Sequence, residues 1–288
     1  MGPAPTGRPV STPQPVRHDG PMDVPDLPWG CYVAMGDSFT EGMEDPAPEG
    51  GYRGWADRLA DLLAQRNPAL RYANLAVRGR LLPQITDEQV PQALSLGADL
   101  VSLVGGGNDV LRPGSDPDAL ADRLEAAVAR LRAAGADVLL ATGADPVKSP
   151  LINLTRGKAA VYNSHIWSIA RRQGALVVDL WGMKALQDRR MWATDRIHLT
   201  AEGHRRVALH ALDALGFGAG EDWASVLPPE PARDRRDAVR EDAQWVREYV
   251  GPWVGRRLRG RSSGDAGQAK RPDAAHVQPP ATEPTDPR

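Results

Sequence analysis

Five short apolar runs, separated by longer amphipathic segments, constrain this chain more than any other feature. The runs are "CYVAMG" (31–36), "RYANLA" (71–76), "ADLVSLVGGG" (98–107), "DVLLATG" (137–143) and "ALVVDL" (175–180). Their apolar residues stand together instead of alternating with polar ones, the pattern of parallel strands covered on both faces. Between and after them lie helical segments at 54–66, 117–135, 156–174 and 200–216. Trp55, Leu59, Leu62 and Leu63 share one face of the first, and Leu120, Leu124, Val128 and Leu131 one face of the second. Gly135, Gly174 and Gly216 stand where C-terminal caps belong. Strand and helix alternating in this way predict right-handed crossovers and an α/β fold: a three-layer α/β/α sandwich around a five-stranded parallel sheet, over residues 29–217.

The flanks read differently. Residues 1–28 are rich in Pro, Gly and polar side chains, and predict a disordered arm. Residues 218–255 form an extension with an amphipathic helix at 233–250, its stripe made of Val239, Ala243, Val246 and Val250, ended by Gly251-Pro252. Residues 256–288, Pro-rich with a basic cluster at Arg256, Arg257, Arg259 and Arg261, predict a disordered tail. The net charge of -2 provides no field to draw the whole protein to nucleic acid. The one cysteine, Cys31, excludes an intrachain disulfide and a thiolate metal cluster. No apolar run is long enough to span a bilayer, and the first thirty residues lack the apolar middle of a secretion signal. A cytoplasmic location is the expectation.

In open α/β sheets ligands gather beyond the carboxyl ends of the strands. The first run ends in Gly36-Asp37-Ser38, the second in "NLAVRGR" with Gly79, the third in "GGGND" with Asn108, and "DRIHLT" (195–200) follows the fifth. A serine hydroxyl is a poor nucleophile until a base takes its proton, and that base works best when a third group orients it. His198 suits the base, Asp195 lies three residues before it, and Thr200 suits the N-cap of the next helix. The amides of Ser38 and Gly79 and the side-chain amide of Asn108 are the candidate oxyanion donors. Asp37 and Asp109 read as supports of their own loops, His204 and His210 as solvent-facing or packing residues, and Arg78 and Arg80 as surface charge or, flanking Gly79, as contacts for an acidic substrate group. "LLPQI" (81–85) reads equally as acyl-pocket wall and as core. "GRSSG" (260–264) matches a nucleophile-elbow pattern but lacks the strand before it and the helix after it.

Taken in order, "GDSFTEG", "NLAVRG", "GGND" and "DRIH" resemble the four sequence blocks of the SGNH hydrolases, the GDSL-like esterase and lipase superfamily. The resemblance runs from about Cys31 to Gly216, with Phe39 and Thr40 departing from the first block's usual continuation. It implies a flavodoxin-like sheet and catalytic Ser38, Asp195 and His198. It further implies Gly79 and Asn108, with the Ser38 amide, as the oxyanion hole, and no metal or organic cofactor. The expected activity is serine ester hydrolysis through an acyl-enzyme, on a small-molecule or lipid ester. Alternatives on the same fold are an acyltransferase, a thioesterase, or a noncatalytic interaction protein using the C-terminal helix. A nucleotide-binding domain fits poorly, because no G-x-G-x-x-G run or P-loop lysine is present.

Overall fold

The structure, a computed structural model, describes residues 27–48, 50–147, 152–229, 235–251, 264 and 267–277. From the N-terminal side the elements are β1 (Cys31–Gly36), α1 (Ser38–Glu41), α2 (Gly54–Ala64), β2 (Arg71–Asn74), α3 (Leu82–Gln84), α4 (Val90–Ser95), β3 (Leu100–Val104) and α5 (Gly107–Val110). There follow α6 (Pro117–Ala133), β4 (Asp137–Ala141), α7 (Arg156–Gln173), β5 (Leu176–Val178), α8 (Ala201–Ala214), α9 (Arg235–Trp245) and β6 (Arg271–His276). The strand order is β5-β4-β3-β1-β2-β6. The first five strands in that order pair in parallel, which is the flavodoxin-like arrangement.

Alternate residues of each strand feed opposite faces. Cys31, Val33 and Met35 of β1 join the cluster under α4, α6 and α7, while Tyr32 and Ala34 join the cluster under α2 and α8. Both faces are therefore buried, which explains why the runs are continuous rather than alternating. Leu59 and Leu63 of α2, and Leu124, Val128 and Leu131 of α6, are buried as their spacing predicts. Each such side chain contributes roughly 1.5–3 kcal/mol. Gly174 caps α7 in the left-handed conformation, and the Thr200 side chain caps α8 by accepting from the Gly203 amide.

Three expectations need correction. The sheet has six strands rather than five, because β6 adds antiparallel to the β2 edge. That strand lies within 256–288, where composition alone predicts a disordered tail. Its backbone pairs with β2, Val277 is buried, and the Val277 amide donates to the Leu70 carbonyl at 3.2 Å. At the other end Leu27, counted with the disordered arm, is buried against the α2/α8 cluster beside Trp29. The remainder of the expected arm (1–26) and of the tail (256–263, 265–266 and 278–288) lies outside the described residues. The C-terminal helix buries Trp245, whereas Ala243 and Val246 of the anticipated stripe are exposed. Among the described residues no helix is long and apolar enough to cross a membrane.

Candidate active site

At the carboxyl end of β1 the chain turns straight into α1. Asp37 is the N-cap, its Oδ1 accepting from the Phe39 amide at 3.1 Å, so Ser38 becomes the first helical residue. A single helical turn directly after a buried strand presents the Ser38 hydroxyl at the strand end. Its Oγ lies 2.9 Å from His198 Nε2.

His198 and Asp195 come from the loop before α8. His198 Nδ1 stands 2.5 Å from Asp195 Oδ2, while Asp195 Oδ1 accepts from the Ile197 and His198 amides, both at 3.0 Å. Arg196 takes a left-handed backbone (φ 58°) between them, which lets one carboxylate collect both amides and the imidazole. Burial works against the Asp195 charge, but His198 and the two amides outweigh it and hold the carboxyl below its ordinary range. A stable anion at Nδ1 fixes the imidazole tautomer with Nε2 facing Ser38.

The loop is clamped from outside. Trp245 Nε1 of α9 donates to the Asp195 carbonyl at 2.7 Å, and the Arg196 guanidinium lies 5.0 Å from the Trp245 ring centre. Arg196 also pairs with Asp242 at 2.6 Å. Nothing in the sequence marks Trp245 for this role, because it falls off the valine stripe of its helix.

The oxyanion candidates are distributed unevenly. Asn108, in α5, lines the same cleft as Ser38 and His198. Its Nδ2 donates to Asp37 Oδ2 at 3.0 Å and to the Arg80 carbonyl at 3.2 Å. Those bonds hold the amide against the Ser38 turn. Gly79 (φ 74°) sits in the loop after β2 and is not a wall of the cleft. That loop is joined to α1 by Glu41, whose carboxylate accepts from the Arg78 amide at 2.7 Å and pairs with the Arg78 guanidinium.

The supporting residues behave structurally. Asp37 is buried, and burial pushes its carboxyl up to about 6 against the favourable Phe39 amide, His198 and Asn108. Asp109 accepts from the Leu82 amide at 2.9 Å. His204 is buried rather than solvent-facing, taking a bond from the Trp55 amide at 3.2 Å and donating to the Met43 carbonyl at 3.1 Å. Burial lowers it to about 4, so it stays neutral. His210 stacks on Trp223 at 3.8 Å between ring centres. Arg80 pairs with Glu88 at 3.0 Å. Gly106 (φ 97°) leaves room for Tyr162, whose ring atoms a Cβ would meet at 2.7–2.8 Å.

A cleft of about 900 Å³ opens at Ser38 and His198. Its walls include Val110 and Leu111 at the end of α5, Ala159, Tyr162 and Ile166 of α7, and Leu186, Trp192 and Leu227 from the loops. Leu82 and Ile85 are fully buried in the core and do not line it, which decides the reading of "LLPQI". Among the described residues no group of three or more His, Cys, Asp or Glu side chains is arranged to hold a metal ion.

Known proteins resemble this chain in sequence profile and in fold. The profile of the GDSL-like Lipase/Acylhydrolase family matches residues 34–206. LAE5, an alpha/beta hydrolase enzyme from the metagenome of Lake Arreo, Spain, shares 26% identity at a TM-score of 0.56, covering 65% of this chain and 95% of its own. A variant of Axe2, an acetyl xylan esterase from Geobacillus stearothermophilus, shares 20% identity at a TM-score of 0.56, over 66% of this chain and 95% of its own. The psychrotrophic esterase EstA from Pseudoalteromonas sp. shares 16% identity at a TM-score of 0.53, over 65% of this chain and 97% of its own. No curated protein sequence matches.

Proposed function

The chain belongs to the GDSL-like lipase/acylhydrolase family and is a hydrolase acting on ester bonds; from that premise we propose a serine mechanism with Ser38 as nucleophile, His198 as base and Asp195 as its orienting acid. The observation that carries this reading is the unbroken path from Asp195 Oδ2 through His198 to Ser38 Oγ, at 2.5 and 2.9 Å, opening on an apolar cleft.

In this mechanism Ser38 Oγ attacks the ester carbonyl carbon while its proton passes to His198 Nε2. Asp195 stabilises the imidazolium that results. The carbonyl oxygen, now an anion, is met by the Ser38 amide, one of the helix-start amides that lack an intrahelical acceptor. The Asn108 side chain, which lines the cleft, is the second donor of the oxyanion hole, and the family resemblance adds the Gly79 amide from the loop beside it. Asn108 joins by exchanging its bond to the neutral Arg80 carbonyl for the charged oxyanion, while Asp37 keeps it aimed. The alkoxide then leaves with the proton from His198, and an acyl-enzyme remains on Ser38. Water, deprotonated by His198, adds to that acyl group; the acid departs and Ser38 regains its proton. The apolar walls hold the acyl portion of a small-molecule or lipid ester.

Ser38→Ala tests the assignment. Hydrolysis of a p-nitrophenyl ester should fall by at least about 10³-fold with the melting temperature kept. An active Ser38→Ala variant would overturn it.

A further inference from the structure

The element carrying Ser38 is a single turn, and a four-residue helix cannot hold itself in place. It depends on tethers at its far end. Within the family-matched residues two are present: Asn74 Nδ2 donates to the Thr40 carbonyl at 3.0 Å, and Arg78 grips the Glu41 carboxylate. A third comes from residues far outside the matched segment.

At the head of β6 the Lys270 ammonium is drawn down into the domain. It donates to the Glu41 carbonyl at 2.6 Å, to the Tyr52 carbonyl at 2.9 Å and to the Arg53 carbonyl at 2.7 Å, and pairs with Asp57 of α2. The ammonium's N–H groups are thus shared among more acceptors than it has protons. Glu41 is the last residue of α1, where a carbonyl has no partner within the helix and a positive charge is favourable. Tyr52 and Arg53 immediately precede α2. One cation therefore fastens the end of α1 to the start of α2. The coupling to Ser38 is short, because the Gly42 and Met43 amides, next along the chain from Glu41, both donate to the Ser38 carbonyl, at 3.1 and 3.2 Å. β6 fixes the lysine in turn: it pairs with β2, and Gln92 Nε2 donates to the Pro272 carbonyl at 3.1 Å.

We propose that Lys270 is a positioning residue for the nucleophile turn, so that the C-terminal strand sets the approach of Ser38 to His198. This rests on the reading of Ser38 as nucleophile. Losing the ammonium would leave the Glu41, Tyr52 and Arg53 carbonyls short of a donor and let α1 shift against α2. A displacement near 1 Å at a reacting atom costs on the order of 100-fold in rate.

The test uses the full chain with three variants: Lys270→Met, Lys270→Arg, and Lys270→Met with Asp57→Asn. The double variant separates position from stability. In the single Met variant Asp57 is left as a buried carboxylate without its lysine, a destabilising arrangement, and Asp57→Asn removes that charge. Expected for Lys270→Met is a kcat lowered about 10- to 100-fold, KM within about two-fold, and a parallel slowing of Ser38 phosphonylation by a p-nitrophenyl phosphonate. The double variant should recover melting temperature without recovering kcat. Lys270→Arg, which keeps a cation, should recover part of the rate. Unchanged kcat in a folded Lys270→Met variant would overturn the proposal. So would full recovery of kcat in the double variant, or a lowered kcat with Ser38 phosphonylation at the parent rate. Failure of the underlying nucleophile assignment shows separately, as phosphonylation of the parent at a residue other than Ser38.

Discussion

His198 Nε2 and Ser38 Oγ stand 2.9 Å apart although 160 positions of chain separate them. The serine arrives at the carboxyl end of β1, inside the sheet, and the histidine on a loop locked to the front of α8. Their meeting is a product of the sheet topology, and it exposes both partners to independent tests.

The Asp195–His198 half can be probed by charge. Asp195→Asn leaves the loop amides an acceptor but removes the anion that fixes the imidazole, so kcat should fall by about 10²- to 10⁴-fold. His198→Ala should be at least as damaging. Steady-state kinetics on one activated ester decides the matter; an Asp195→Asn enzyme with parent kcat would make Ser38–His198 a working dyad.

An imidazole base also predicts the form of the pH profile. Only neutral imidazole accepts the serine proton, so kcat/KM should climb with pH until the base is deprotonated and then level off. A flat profile between about pH 5 and 9, with chemistry rate-limiting, would exclude histidine as the base.

Asp37 makes a stability prediction with a definite sign. Its folded value is raised from 3.8 to about 6 by burial, so the folded state retains a proton that the unfolded state has lost. Its contribution is therefore present below about pH 4 and lost as pH rises through about 6. Asp37→Asn, which carries no charge, should gain on the parent across that window, by at most about 3 kcal/mol. Melting temperatures measured at pH 4 and pH 7 should diverge; an equal gap at both would contradict the buried charge. The same variant loses the carboxylate that aims Asn108, so its kcat should drop even as it melts higher.

The cleft predicts a chain-length preference. Each methylene buried against the Ala159, Tyr162 and Ile166 wall is worth up to about 0.8 kcal/mol, roughly 4-fold. Across p-nitrophenyl esters, kcat/KM should therefore rise from acetate to octanoate. Ala159→Phe, which fills that wall, should flatten the rise while sparing acetate. A parent enzyme that prefers acetate would show that the acyl group binds elsewhere.

Much of this is legible in the residues, because its causes are local or repeat along the chain. Continuous runs such as 31–36 are continuous because both faces of β1 are buried. The Asp195–Thr200 stretch places an acid, a base and a helix cap within one short loop. What the sequence hides is held by contacts across the chain. "RPDAAH" (271–276) has no apolar run and contains Pro272, which is tolerated at a sheet edge; its strand is specified by the β2 edge and by a lysine cage built from residues 41, 52, 53 and 57. Trp245 likewise gains its meaning from the Asp195 carbonyl, 50 positions away. The cleft walls on α7 cannot be told from core by periodicity, since helix faces toward a cleft and toward a sheet are equally apolar.

Covalent capture tests the central claim most directly. The protein is incubated with a p-nitrophenyl phosphonate, and the modified residue is located by peptide mass spectrometry alongside the loss of esterase activity. The serine mechanism predicts one phosphonyl group per chain, carried on Ser38, with inactivation in step with labelling. It also predicts no such adduct in Ser38→Ala and a greatly slowed one in His198→Ala. Stoichiometric inactivation with the adduct on any other residue would contradict it.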